Sequence, residues 1–182
     1  MGEETMKKLF PILLVVAAFL VVPACGGGGG GGGGGGPELT SNYVFESYDT
    51  PLGIPDYNFS GVWSEINVSG FAGSIAKVTV QVNISHTWLE DLTLYLFSPT
   101  GTGIILAYYV GLDGNNFNGT IFNDAATTPI VNGSAPFKGV YIPDEPLWTF
   151  NGENPAGTWY LVVVDDIPED VGTLNWWKLG LD

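Results

Sequence analysis

Residues 86–102 constrain the fold more than any other stretch: His-Thr-Trp-Leu-Glu-Asp-Leu-Thr-Leu-Tyr-Leu-Phe-Ser-Pro-Thr-Gly-Thr. Leu92, Leu94 and Leu96 alternate with Thr93, Tyr95 and Phe97, the period of two that lets a strand bury one face. Ser98, Pro99 and Gly101 end the run, because proline fixes φ and has no N–H to donate while glycine admits the turn. Just upstream, residues 75–85 alternate again. Val78, Val80, Val82 and Ile84 point one way, and Thr79, Gln81, Asn83 and Ser85 the other. Two adjacent amphipathic strands with a short acidic corner between them commit this region to a β-sheet.

The remainder follows the same grammar. Residues 62–68, 103–110, 120–123, 159–164 and 174–181 read as strands, separated by Gly, Pro, Asn and Asp. The run 159–164 is almost wholly apolar, as in a strand covered on both faces. Trp176 and Trp177 are adjacent, so they face opposite sides. Residues 127–147 read as a long ordered connection rich in Pro and Gly. No segment after residue 37 has a helical period. About eight short strands with Gly/Pro turns predict an all-β antiparallel sandwich or barrel. Residues 37–53 are polar with scattered aromatics, and read equally as linker or as a first strand.

The N-terminus has a different composition. Lys7 and Lys8 precede an apolar run over 9–22, which leads into Val22-Pro23-Ala24-Cys25. This is the layout of a secretory signal, and its end resembles the lipobox of bacterial lipoproteins, which implies lipidation of Cys25. Met6 is an alternative start, because the residues before it are unlike a basic leader. A transmembrane anchor is the competing reading, though the apolar run is short for a span of roughly 20 residues. Residues 26–36 are all glycine. Such a tract has maximal backbone entropy and nothing to pack, so it predicts a tether with a reach of about 20 Å. The expected organisation is a signal over 1–25, a linker over 26–53 and a folded domain over 54–182. The expected location is a bacterial cell envelope, lipid-anchored and facing the periplasm or exterior.

Charge narrows the partners. There are 19 acidic and 5 basic side chains and no arginine, giving a net charge of -14. Such a surface repels phosphate backbones, which argues against nucleic-acid binding. It attracts Ca²⁺ or basic proteins. The single cysteine, Cys25, allows no intrachain disulfide. Asp56, Asp91, Asp124, Asp165 and Asp166 fall at strand ends or turns, where carboxylates either cap backbone N–H groups or ligate calcium. They are the candidate Ca²⁺ residues. Of six tryptophans, Trp159 is assigned to the core, and Trp88 and Trp176 are candidate binding-surface residues, including for carbohydrate.

The stretch 86–102 resembles the signature of the P domain (P/Homo B), which follows the catalytic domain in kexin- and furin-like proprotein convertases and in many secreted bacterial proteases. The resemblance extends through Ile54-Pro55-Asp56, Phe122-Asn123-Asp124-Ala125-Ala126, Ala135 through Pro143, Leu147 through Gly152, Gly157 through Asp165, and Gly172, Leu174, Trp177 and Leu179. Six such pieces occur in the family's order and cover 54–182. The resemblance implies a jelly roll and a partner protein such as a subtilisin-like serine protease. It also carries a family association with serine-type endopeptidases. The chain itself has one histidine, His86, and no Gly-Thr-Ser nucleophile segment. A Ser-His-Asp mechanism needs a histidine base beside its nucleophile, so the expected role is non-catalytic: an envelope-anchored module that binds or stabilises a partner. A carbohydrate-binding surface module and a calcium-binding structural domain are the alternatives.

Overall fold

The computed structural model describes residues 38–182. The expected signal, the expected lipidation of Cys25 and the glycine tract fall on residues outside the described ones. Ten strands form in chain order: β1 Tyr43–Glu46, β2 Leu52–Ile54, β3 Asn58–Val68, β4 Val78–His86, β5 Leu92–Phe97, β6 Gly103–Tyr108, β7 Phe117–Phe122, β8 Val140–Tyr141, β9 Gly157–Asp165 and β10 Gly172–Leu181. Three single 3-10 turns, Leu89–Asp91, Ile130–Asn132 and Leu147–Phe150, are the only helical elements among the described residues.

One sheet has the order β1-β10-β4-β7-β8, with β2 also on the β10 edge; the other runs β3-β9-β5-β6. Eight strands, β2 to β7 with β9 and β10, pass from one sheet to the other at every step but the β5–β6 hairpin, as two interlocked Greek keys do, which makes a jelly roll. Seven of these, β3 to β7 with β9 and β10, fall on the stretches read as strands in the sequence, and β1, β2 and β8 are added. All pairings are antiparallel except the two-residue β7–β8 pair, where β8 lies parallel.

The alternation seen in the sequence faces the inter-sheet core. Val80, Val82 and Ile84 of β4, Leu92, Leu94 and Leu96 of β5, and Trp159, Leu161 and Val163 of β9 are all buried there. In β10 the register against β4 shifts between Leu174 and Trp176. A bulge of this kind adds one residue and resets the phase, so Leu174 and Trp177 both point inward although their spacing is odd. Trp177 spans the core: its indole N–H donates to Ser64 Oγ of β3 at 2.8 Å, and Ser64 in turn donates to Asp49 Oδ1 at 2.6 Å. Trp176 takes the opposite, outer side with Lys178 Nζ 5.5 Å from its ring centre.

Residues 26–53 were expected to be linker, with a first strand as the alternative for 37–53, and the structure forms strands at Tyr43–Glu46 and Leu52–Ile54. β1 pairs residue for residue with Lys178–Leu181, and β2 with Gly172–Leu174. Four- and three-residue edge strands carry too little period to be read alone; their stability comes from the β10 backbone groups they satisfy. Ser41 Oγ also hydrogen-bonds Thr79 Oγ1 at 2.9 Å, so the segment before β1 covers the outer side of β4. At the far edge, Asp144 and Glu145 cap β6: Ile105 N–H donates to Glu145 Oε2 and Tyr108 N–H to Asp144 Oδ2, both at 2.7 Å. That occupies an edge that would otherwise template intermolecular pairing.

Candidate functional site

Four loops meet at one end of the sandwich: β2–β3, β4–β5, β6–β7 and β9–β10. His86, the last residue of β4, sits at their centre and is 2 % exposed. Its Nε2 lies 3.1 Å from Asp165 Oδ2, its Nδ1 lies 2.7 Å from the Trp88 carbonyl, and its own N–H donates to Asn116 Oδ1 at 3.0 Å. Across the ladder stands Gly172, where a Cβ would collide with the imidazole. The small residue on β10 makes the space that the ring fills.

Around this ring gather carboxylates from distant parts of the chain. Asp165 is fully buried. Burial pushes its pKa up, and the bond to His86 partly offsets that. Asp91 is 2 % exposed, and its Oδ2 accepts no hydrogen bond among the described residues. Its pKa is raised from 3.8 to about 6 by burial first, then by the charges of Asp165 and Asp170, with His86 opposing. Asp170 accepts from the Thr87 hydroxyl at 2.6 Å, and Asp56 from the Glu169 N–H at 3.4 Å. Asp166 accepts from the Tyr109 hydroxyl at 2.6 Å, a bond that drives the phenol pKa up. The other Asp166 oxygen, Oδ1, is buried without a partner.

Four of the five sequence-selected aspartates therefore lie at this end. The fifth does not. Asp124 accepts from the N–H groups of Leu147 and Trp148 at 3.0 and 2.7 Å, capping a 3-10 turn near the opposite end. Asp170, Glu169, Tyr109 and Asn116 were not selected, although the run Asp165-Asp166-Ile167-Pro168-Glu169-Asp170 carries the signal in its charge density. Among the described residues, no three His, Cys, Asp or Glu side chains converge as a ready set of metal ligands. The features that fit a hard cation are two buried carboxylate oxygens that accept no hydrogen bond among the described residues, Asp91 Oδ2 and Asp166 Oδ1.

The loop tips of the same end carry exposed apolar side chains: Tyr57 and Phe59 at the β2–β3 corner, Trp88, Leu112, and Ile167 with Val171. Of the two tryptophans selected as a binding surface, Trp88 belongs to this group, while Trp176 is half-buried on the outer side of β10 beside Lys178. The imidazole faces a carboxylate and a backbone carbonyl, and neither ring nitrogen is bonded to a hydroxyl or thiol.

A second motif is explained by packing. The turn Ser98-Pro99-Thr100-Gly101-Thr102 wraps the Glu153 carboxylate. Ser98 and Thr100 hydroxyls donate to Oε2 at 2.7 and 2.6 Å, and Thr102 donates to Oε1. Burial opposes the charge, but the three donors outweigh it and hold the Glu153 pKa below its usual value.

Comparison with known proteins agrees with this architecture. A family model described as the proprotein convertase P-domain matches residues 75–181. Leupeptin-inactivating enzyme 1 of Streptomyces exfoliatus is 32% identical over 129 residues, which is 70% of this chain and 24% of that protein. A crystal structure of a serine protease of Aeromonas sobria is similar over 80% of this chain and 27% of its own, with 21% identity and a TM-score of 0.49. The crystal structure of that protease in complex with its chaperone is similar over 80% of this chain and 28% of its own, with 21% identity and a TM-score of 0.50. The chain thus spans about a quarter of the length of each of these relatives. With a jelly roll built around the His86 end and a family match over more than half its length, this chain belongs to the proprotein convertase P-domain family.

Proposed function

We propose that this chain is a non-catalytic module that binds and steadies a partner protein through the His86 end, the partner being a subtilisin-like serine protease. The observation that carries the reading is that all four loops of this end present exposed apolar tips: Phe59 is 70% exposed, Leu112 65%, Val171 63% and Trp88 41%. Apolar tips set around a rigid, carboxylate-rich base suit a partner face with apolar sockets and basic neighbours. Membership in a family of companion domains of convertases supports a protease as that partner. The non-catalytic role is supported by His86, whose ring nitrogens are engaged by Asp165 and a backbone carbonyl rather than by a nucleophile.

Two further parts of the proposal concern location and calcium. The 9–25 pattern supports lipidation at Cys25, and the glycine tract supports a tethered domain at the periplasmic or outer face of a bacterial envelope. The donorless Asp91 Oδ2 supports a Ca²⁺ role for Asp91 with Asp165 and Asp170 as its neighbours; the ion would supply the charge balance that this end lacks.

The test is a trans-stabilisation assay. A subtilisin-like protease truncated of its own P-domain is heated with and without the full chain, in the presence of Ca²⁺. A concentration-dependent gain in protease half-life, lost with Phe59→Ser and Leu112→Ser together, is the expected result. No gain with the wild-type chain, or an equal gain with the double variant, would sink the reading.

A further inference from the structure

At the opposite end of the sandwich, a groove of about 250 Å³ opens between the start of β4, the turn after β7 and the turn Leu147–Phe150. Its walls include Lys77, Asn123, Asp124, Ala125, Trp148 and Asn151. We propose that this groove binds a single ring of a neutral saccharide, with Trp148 as its platform.

Trp148 is 63% exposed, yet Leu147 and Phe150 in the same turn are fully buried. Asp124 fixes the turn by accepting from the N–H groups of Leu147 and Trp148, and Asn151 N–H donates to the Trp148 carbonyl at 2.9 Å. The indole is therefore held out over the groove by a rigid base rather than left on a mobile tip. Its neighbours supply hydrogen bonds. Asn123 uses Oδ1 on the Ala125 N–H at 2.9 Å, which leaves its amide N–H groups for a ligand. The Asn151 side-chain amide makes no hydrogen bond among the described residues. Lys77 Nζ is 3.9 Å from Asp182 Oδ2, too long for a committed hydrogen bond.

Three ligand classes fail on these same residues. A cation or basic peptide meets a single carboxylate in the lining, Asp124, beside the Lys77 ammonium, and each Asp124 oxygen already accepts a backbone N–H. An anion must approach a chain of net charge -14. An acyl or aliphatic chain needs a deep and continuously apolar lining, and this open groove interleaves Ala76, Val78, Ala125 and Trp148 with Lys77, Asn123, Asp124 and Asn151. A sugar ring has an apolar C–H face for the indole and hydroxyls for the two amides and the ammonium, and the groove volume lies below the roughly 300–1,000 Å³ of pockets that hold drug-sized ligands, which suits a single ring. The groove is remote from the His86 end, so its fate and that of the partner reading are decided separately.

The test uses the full chain, ¹⁵N-labelled at tryptophan. Methyl β-D-glucopyranoside, methyl β-D-galactopyranoside and N-acetyl-D-glucosamine are the probes, and the Trp148 indole N–H signal is assigned as the one missing in Trp148→Phe. The expected result is a saturable shift of that signal with at least one probe, at a Kd on the order of 1 mM. Trp148→Ala is expected to weaken binding roughly tenfold or more with an unchanged melting temperature, and Asn151→Ala to weaken it less. If Trp148→Ala does not fold, Asn151→Ala carries the mutational arm alone. The proposal is overturned by no saturable shift with any probe up to about 100 mM, by full binding in Trp148→Ala (or in Asn151→Ala, should that arm stand alone), or by sodium glucuronate binding as tightly as the glucoside.

Discussion

Gly172 of β10 stands directly across the ladder from His86 of β4, and the missing side chain at 172 is the space the imidazole occupies. This pair joins the two central strands of one sheet to the Asp165 carboxylate at the end of the other. Gly172→Ala places a methyl group against the ring. The expected loss is about 1–3 kcal/mol from overpacking, read by chemical denaturation. In the double variant Gly172→Ala/His86→Ala the clash with the ring is gone, although the Ser85 carbonyl still lies 2.6 Å from the methyl position, so the two losses are expected to be less than additive. Strict additivity would show that the close approach is not what constrains residue 172.

Asp91 makes stability fall as pH rises. Its carboxyl is raised from 3.8 to about 6 by burial and by Asp165 and Asp170, so the folded chain holds a proton that the unfolded chain has already released. The contribution is full below pH about 4 and is lost as pH rises through about 6. The difference is on the order of 3 kcal/mol at most. Melts in chelator across pH 4–7 are expected to show this decline, and Asp91→Asn to flatten it. A wild-type profile rising over that window would contradict the assignment.

Calcium is expected to reverse that penalty. In excess Ca²⁺ the melting temperature at pH 7 rises relative to chelator, and Mg²⁺ does not reproduce the rise; at 100 times Kd the gain is about 2.7 kcal/mol. Asp91→Asn is expected to abolish the effect, while Asp124→Asn leaves it intact, because Asp124 caps the Leu147–Phe150 turn instead. Identical melts with and without calcium would remove the ion from the picture of this end.

Glu153 is expected to be a stability residue of the opposite sign. Three hydroxyls lower its pKa despite burial, so its contribution is present above the ordinary carboxylate range and is lost as pH falls through the lowered value. Glu153→Ala removes the carboxylate acceptor of the Ser98, Thr100 and Thr102 hydroxyls and leaves them only their bonds to one another, at about 1–3 kcal/mol. Limited proteolysis is expected to cut first within 98–102. An unchanged cleavage pattern would mean that the turn holds itself without the carboxylate.

Much of the fold is legible in the residues themselves. The alternation of Leu92, Leu94 and Leu96 and of Val78, Val80, Val82 and Ile84 fixed which side faces the core, because the period of a strand is a local geometric fact. The separation of Trp176 from Trp177 followed from the same period. β1 and β2 were not legible, because three or four residues carry no period and their pairing with β10 is a long-range event. Nor was the shift between Leu174 and Trp176, which only the register against β4 reveals.

The candidate site divides in the same way. The sequence by itself determined that carboxylates end the strands, that one histidine exists, and that the net charge is -14. The tertiary structure decided which carboxylates meet. Asp165 reaches His86 across a separation of 79 residues, and Glu153 reaches Ser98 across 55, whereas Asp124 turns away to cap backbone N–H groups. Strand type is set by neighbours along the chain. Burial, the raised Asp91 carboxyl and the ring of apolar loop tips are set by the jelly-roll connections, which bring four loops to one end from sequence positions that share no local signal.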